Sequence, residues 1–246
     1  MYVCNRILDL KKKRVVVSVI NDLVTDQRVA RTCNTLCESG YEVLLIGRRL
    51  ANSLPIENRK YKTKRMRLLS SKGPFFYFEF SVRLFIKLLF VKVDIFHAND
   101  LDTLLPNCTI AKFRKKFLVY DSHEYFTEVP ELQSSPLKKK IWSKIEKLCF
   151  KHTDLTFTVN SSIAEIYENK YKKDIIVLRN YPYKINVNQK LSKKDFSLPE
   201  AQKLIILQGS GINIDRGAEE AVAAMQFIEN AVLIIAGSGD VIPILK

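Results

Sequence analysis

The chain has 246 residues, 47% of them hydrophobic, and carries a formal net charge of +14. This length and apolar content suffice for one large domain or one and a half ordinary ones, and they argue against an intrinsically disordered chain. The basic excess draws anions, whether nucleic acid, acidic lipid or phosphorylated substrates, although many surface lysines serve solubility alone.

In chain order, "MYVCNRILDLKKKR" sets its basic residues after the apolar ones and lacks a hydrophobic core and cleavage site, so it is not a secretory signal. "RVVVSVI" (14–20) is a β-branched run of the kind buried on both faces of a sheet. After a polar turn, "TDQRVARTCNTLCES" has helical spacing, with Thr25 or Asp26 as N-cap and Gly40 as the stop. Strands follow at "EVLLIG" and "MRLL", then a long apolar segment, then strands at "VDIFHA" and "FLVY" with the helix "LDTLLPNCTIAKF" between them. The helix "PLKKKIWSKIEKLCFKH" leads to the strand "LTFTV", a helix over 161–171, and "DIIVLRN".

Strands alternating with helices predict an α/β fold with a doubly wound parallel sheet, whose ligand crevice lies outside the carboxyl ends of the strands. Asn21 and Asp22 after the first strand, Asn99 and Asp100 after the fourth, and Asp121, His123 and Glu124 after the fifth are therefore expected on one rim. Asp121 or Ser122 could equally cap a turn. A metal site is not expected, because His123 and Glu124 are adjacent and no third ligand follows from spacing. A serine hydrolase is disfavoured because no G-x-S-x-G occurs.

The five cysteines form no CxxC pair, which points to a reducing compartment and hence a cytoplasmic protein. Cys33 and Cys37, one helical turn apart, fit core packing. The segment "FFYFEFSVRLFIKLLFVKV" (75–93) approaches the ~20 residues of a membrane span. Glu79, Arg83 and Lys87 recur every four positions along it, which predicts an amphipathic helix lying on the sheet, with a membrane surface as the secondary option. Trp142 is expected to anchor helix packing.

Residues 183–202 read as a polar linker. A further unit follows: "KLIILQG", the loop "SGINIDRG", the helix "AEEAVAAMQFI" and the strand "AVLIIAGSGD". Two strands and one helix are too few to bury a core, so the expectation is a second domain cut short. Gly209 and Gly211 permit close backbone approach and Arg216 can pair with phosphate, which makes this loop a plausible diphosphate cradle; glycines also end strands for structural reasons.

Taken together, "SVINDLVTDQRVARTCNTLCESGYEVLLIGR", "DIFHANDLDTLLPN", "YDSHEYFTEVPEL", "VLRNYP" and "LQGSGINIDRGAEEAV…VLIIAGSGD" resemble, in this order, the bacterial family 4 glycosyltransferases of the GT-B fold, over about residues 14–240. The resemblance implies two Rossmann-like domains: 1–182 on the acceptor side and, after the linker, an incomplete nucleotide-sugar domain over 203–246. It implies sugar transfer from a nucleotide-sugar donor to a glycan or lipid-linked acceptor, with retention of anomeric configuration, no cofactor and no metal, as in surface polysaccharide or glycolipid synthesis. His123 occupies the position beside the donor sugar. "HANDLD" resembles the family's H-x-H-D strand end with Asn99 in place of the second histidine, leaving Asp100 as the clearer match. Asp26 and Arg28 resemble the acceptor-side D-x-R element, and Asn180 lies before the interdomain crossover. On the donor side the resemblance points to Asn180, Gly209, Ser210, Gly211, Arg216, Gly217 and Gly237; Ser210 stands where relatives carry a second basic residue. The family's paired-glutamate motif is not reached.

Alternatives from other classes are a non-catalytic remnant or acceptor-binding module that needs a partner and, on charge alone, a nucleic-acid binder, for which no recognition motif is present. The basic segments "LKKKR" and "RKYKTKRMR", with the aromatic helix, make an anionic inner-membrane surface a further partner and peripheral association the corresponding location.

Overall fold

A computed structural model describes residues 13–182, 184, 191–209 and 211–245. The N-terminal segment 1–12, much of the expected linker and Ser210 lie outside the described residues. The chain divides into two compact units between Tyr181 and Pro182.

The first unit is built on seven parallel strands: β1 (Arg14–Asp22), β2 (Glu42–Arg48), β3 (Lys62–Met66), β4 (Ile95–Asn99), β5 (Phe117–Ser122), β6 (Leu155–Thr158) and β7 (Ile176–Val177). They lie in the order β3-β2-β1-β4-β5-β6-β7, so the chain reverses direction across the sheet between β1 and β4. The helices are α1 (Gln27–Glu38), α2 (Gly73–Leu89), α3 (Leu101–Arg114), the short α4 (Pro130–Gln133), α5 (Pro136–Phe150) and α6 (Ser161–Tyr171).

The valine run of β1 sits in the middle because it has apolar side chains for both faces. Val15, Val17 and Val19 meet Val29 and Cys33 of α1 on one side. Val16, with Phe96, Leu118 and Tyr120 of neighbouring strands, meets Phe80, Leu84 and Leu88 of α2, Leu104 of α3 and Phe150 of α5 on the other. Each fully buried side chain of this kind contributes roughly 1.5–3 kcal/mol. Cys33 packs in the core as expected, and Trp142 anchors α5 edge-on against Tyr77 and Phe126.

Asp26 is the N-cap of α1, accepting the Val29 N–H at 3.0 Å, and Gly40 with φ of 88° follows its C-terminus. The third strand departs from the expectation: it runs Lys62–Met66, ending where "MRLL" begins, because alternating Lys62, Lys64 and Met66 pair with β2. Only Ile176–Val177 of "DIIVLRN" joins the sheet.

Helix α2 packs on the sheet as predicted, and its polar stripe runs from buried Glu79 to exposed Arg83 and half-buried Lys87. Glu79 is buried and accepts the N–H groups of Leu69 (3.0 Å) and Ser70 (3.1 Å), while Arg83 pairs with it at 2.7 Å. These charges lie on the flank towards β3. The face opposite the core carries Phe75, Phe78, Val82 and Ile86, all exposed.

The second unit contains β8 (Lys203–Gly209), α7 (Ala218–Ala224) and β9 (Ala231–Gly237), with β8 and β9 parallel over seven residue pairs. Ile212, Ala218 and Val241 form its small core.

Candidate functional site

The switch in strand order between β1 and β4 leaves the carboxyl ends of β1, β4 and β5 open as a crevice. Parallel register sets Asn99 of β4 opposite Asp121 of β5, so the residues that follow, Asp100 and His123, leave the sheet side by side.

Asp100 turns the chain from β4 into α3 at φ of 60°, a left-handed conformation that costs a non-glycine residue about 1–3 kcal/mol. Its N–H donates to the Asp121 carbonyl at 2.9 Å. The conformation aims the carboxylate at the next strand end: Oδ1 accepts the His123 backbone N–H at 2.8 Å, and Oδ2 lies 3.1 Å from His123 Nδ1. On the other side of the ring, Nε2 is 3.3 Å from Asp121 Oδ2, near enough for charge attraction but misaligned for a hydrogen bond.

Asp121 is fully buried and has a second counter-charge, because Arg28 Nη2 reaches its Oδ1 from α1 at 2.6 Å. Arg28 Nη1 also donates to the Leu178 carbonyl at 3.2 Å, tying α1 to the segment after β7. Arg31 on the same helix donates to Asn180 Oδ1.

Protonation follows from this arrangement. Burial alone would lower the His123 pKa, but the charge of Asp100, its hydrogen bond and then Asp121 overcome burial and raise it to about 10, so the ring is an imidazolium at neutral pH. Burial likewise opposes ionisation of Asp121, and His123 and Arg28 hold it well below the ordinary carboxylate range. His97, two residues before Asn99 on the same strand face, is buried with no partner for Nε2; desolvation lowers its pKa to about 4 and keeps it neutral. Asp102, in the first turn of α3, is pushed well above the usual range by burial and then by the charge of Asp100. The rim thus sets an imidazolium beside a carboxylate whose pKa is lowered and near a buried one whose pKa is raised.

Among the expected residues, His123, Asp100 and Arg28 meet in this cluster, with Asn99 just beneath it. The Asn99 amide donates to the Ser18 carbonyl at 2.9 Å, locking β4 to β1. Glu124 follows on the exposed side, where its carbonyl accepts the Ser122 hydroxyl at 2.8 Å. Asn21, Asp22 and Asp26 have a local structural account. Asn21 donates to Asp26 at 3.0 Å, and Asp22 accepts the Val24 N–H at 3.0 Å and the Ser53 hydroxyl. Burial would raise the Asp22 pKa, yet these bonds lower it, as suits a carboxylate fixed in a turn. The Asn180 side-chain oxygen accepts from Arg31 of α1 within the first unit. Sequence reasoning did not single out His97 and Asp102. The strand alternation that puts His97 on the face of Asn99 was a usable signal; burial of Asp102 was not visible.

In the second unit the strand-end loops close on each other. Ile212 N–H donates to the Ser238 carbonyl at 3.0 Å, and a Cβ at Gly237 would stand 1.8 Å from the Gly209 carbonyl oxygen. Gly237 is therefore required by packing. Gly217 has φ of 89° and precedes α7, and Arg216 beside it is exposed. Gly209 and Gly211 are different, since a Cβ at Gly209 would make only ordinary contact with Ile212 at 3.5 Å and one at Gly211 would meet nothing closer than 3.9 Å. No packing demand accounts for glycine at these two positions. Among the described residues no group of His, Cys, Asp and Glu could hold a metal ion. A cavity of about 1010 Å³ lies at the opposite edge of the first unit's sheet, near the amino ends of β1, β2 and β3, away from this chemistry.

A seven-stranded parallel sheet of this order with its polar rim, followed by a second parallel αβ unit, defines the GT-B class, and solved structures agree. Sucrose-phosphate synthase from Thermosynechococcus elongatus superposes with a TM-score of 0.65 at 17% identity, covering 93% of this chain and 63% of that one. S. aureus MnaA, in a co-structure with UDP, gives 0.58 at 13% identity, covering 96% and 64%. Arabidopsis thaliana UGT89C1 complexed with UDP-L-rhamnose gives 0.58 at 11%, covering 94% and 71%. The chain spans less than two thirds of the length of the first two. No curated protein matches the chain significantly in sequence. The profile of Glycosyltransferase Family 4 matches residues 26–180, from the N-cap of α1 to the asparagine bound by Arg31. The chain belongs to that family.

Proposed function

We propose that this protein works in sugar transfer: from a nucleotide-sugar donor to a glycan or lipid-linked acceptor, with retention at the anomeric carbon, on the cytoplasmic side of the membrane, in surface polysaccharide or glycolipid synthesis. The observation that carries the reading is the His123–Asp100–Asp121–Arg28 cluster at the sheet's switch point, all four residues lying within the family profile. In this reaction the bond from the anomeric carbon to the diphosphate oxygen breaks, an acceptor hydroxyl oxygen bonds to the same face of that carbon, and its proton passes to the departing diphosphate.

The imidazolium of His123 is suited to donate to a sugar hydroxyl. Its Nε2 is shielded beside Asp121, so it reaches a ligand only when the ring turns away from that carboxylate. Asp100 keeps the ring cationic and sets its direction. Gly209 and Gly211 leave room for phosphate oxygens to approach the backbone, with Arg216 beside them. No metal is needed in this scheme, because the positive charges come from side chains and backbone N–H groups.

The test is incubation with a panel of UDP-, GDP- and dTDP-hexoses plus lipid extract, following nucleoside diphosphate release and the anomeric configuration of the product by NMR. Release that falls at least 100-fold in His123→Ala, with folding retained, is the expected result. Unchanged turnover in that variant would refute the role of His123, and an inverted product would refute retention. An acceptor-binding module that needs a partner is the second reading. It is favoured by the family profile, which matches residues 26–180 and so lies within the first unit. Acceptor binding without donor binding would select it.

A further inference from the structure

A surface helix ordinarily turns polar side chains outward. Helix α2 does not. Opposite its buried residues Phe76, Phe80, Leu84 and Leu88, it exposes Phe75 (58%), Phe78 (66%), Val82 (40%) and Ile86 (49%), and Phe90 (82%) follows at its C-terminus. Such a contiguous aromatic stripe costs solubility and ordinarily marks an interaction surface. The helix has 17 residues, and no helix among the described residues is long and apolar enough to cross a membrane.

The charge beside the stripe indicates what covers it. A groove of about 360 Å³ runs between β3 and α2, lined by Arg65, Arg67, Arg83 and Lys87 with Met66 and Ile86. From Lys60 to Val93 the chain has nine basic residues and one acidic residue, Glu79, which is buried and already holds two backbone N–H groups and Arg83. The acidic residue of that stretch is therefore already engaged, and the groove lining itself holds four cations and no carboxylate. Next to α2, α5 touches it through the Tyr77–Trp142 ring pair and exposes Leu137, Ile141 and Leu148 among lysines.

We propose that the outward face of α2 docks on an anionic phospholipid bilayer, with Phe75, Phe78 and Val82 entering the headgroup–acyl boundary and the Arg65–Arg67–Lys87 groove taking lipid phosphates. An apolar stripe flanked by cations is the signature of a helix lying in the interface plane, held by apolar burial and attraction to anionic lipid together. An acidic protein partner would satisfy the groove but would not call for a row of exposed phenylalanines along one helix face without matching polar contacts. The proposal rests on, and deepens, the reading of a lipid-linked acceptor, since it names the surface that would bring the protein to such an acceptor.

The test is flotation with vesicles of phosphatidylcholine containing one third phosphatidylglycerol, and with pure phosphatidylcholine, at low and high salt. Variants are F75S/F78S and R67E/K87E, with thermal unfolding as the folding control; all four side chains lie outside the sugar-transfer cluster. The wild type should bind the anionic vesicles only, each double variant should lose at least about tenfold in partitioning, and high salt should weaken the wild type further. Failure of the wild type to bind anionic vesicles overturns the proposal. Binding that survives F75S/F78S also overturns it, and where those variants equally retain a soluble polyanion such as heparin, the groove is a general anion site. Transfer to a water-soluble acceptor without vesicle binding would sink the docking surface and leave the transferase reading intact; vesicle binding with no transfer would do the reverse.

Discussion

Replacing His123 by glutamine tests the electrostatics of the rim independently of any substrate. The imidazolium lies between Asp100 at 3.1 Å and Asp121 at 3.3 Å, with its side chain 17% exposed. A rise from the ordinary 6.5 to about 10 would represent roughly 4–5 kcal/mol of preference for the charged form were the site isolated from solvent. Partial exposure and the sharing of one positive charge by two carboxylates reduce the expectation to about 2–3 kcal/mol. Between pH 6.5 and about 10 the folded protein holds a proton that the unfolded chain has lost, so this contribution is complete below 6.5 and declines as pH rises towards 10. His97 acts with the opposite sign. Its pKa falls to about 4, so between 4 and 6.5 the unfolded chain binds a proton that the folded one does not, and stability rises with pH there. These two groups together place a stability maximum near pH 6.5. Urea unfolding across this range, with NMR titration of the histidine rings, is the assay. In His123→Gln the decline above pH 6.5 should largely vanish while the rise below it persists. A His123 ring titrating near 6.5, or a variant whose profile parallels the wild type, would refute the reasoning.

Arg28→Ala leaves the buried Asp121 carboxylate without its 2.6 Å partner and should cost about 3–5 kcal/mol in urea unfolding; a loss under 1 kcal/mol would mean that His123 alone sustains Asp121. Glu146 is fully buried and receives bonds from Lys170 (2.6 Å) and Tyr171, with Tyr167 beyond, so Glu146→Ala should cost about 2–4 kcal/mol and loosen α5 from α6, read by hydrogen exchange of α6. Gly237→Ala drives a Cβ into the Gly209 carbonyl and should destabilise the β8–β9 pair by about 2–4 kcal/mol. Gly211→Ala should leave folding unchanged but weaken binding of whichever nucleotide-sugar supports transfer, measured calorimetrically; unaltered affinity would remove the phosphate role of that loop.

Much of the first unit was legible because its signals are local. The valine run of β1, the Asp26 cap, Gly40 after α1 and the alternation of strands with helices each follow from one stretch of chain, and alternation implies parallel pairing whatever the distant contacts are. The carboxyl-edge rule then located the rim, and the ordered motifs pointed to the family that the profile match shows.

What the sequence could not supply depends on which way a side chain is turned and what covers it. Glu79, Arg83 and Lys87 form a helical stripe in any projection, but only docking against β3 decides that this stripe is a flank and that phenylalanines face outward. Asp121 and Ser122 read equally as turn residues until register brings Asp121 beside Asn99 and α1 delivers Arg28 to it across 93 positions of chain. Gly237 and Gly211 look alike in a string of letters, yet one is enclosed by a neighbouring carbonyl and the other opens on unfilled space. Composition and periodicity determined the class of sheet and the edge that carries the chemistry. The charge states along that edge were decided only by tertiary structure, because they depend on burial and on charges a few ångströms away that arrive from distant parts of the chain.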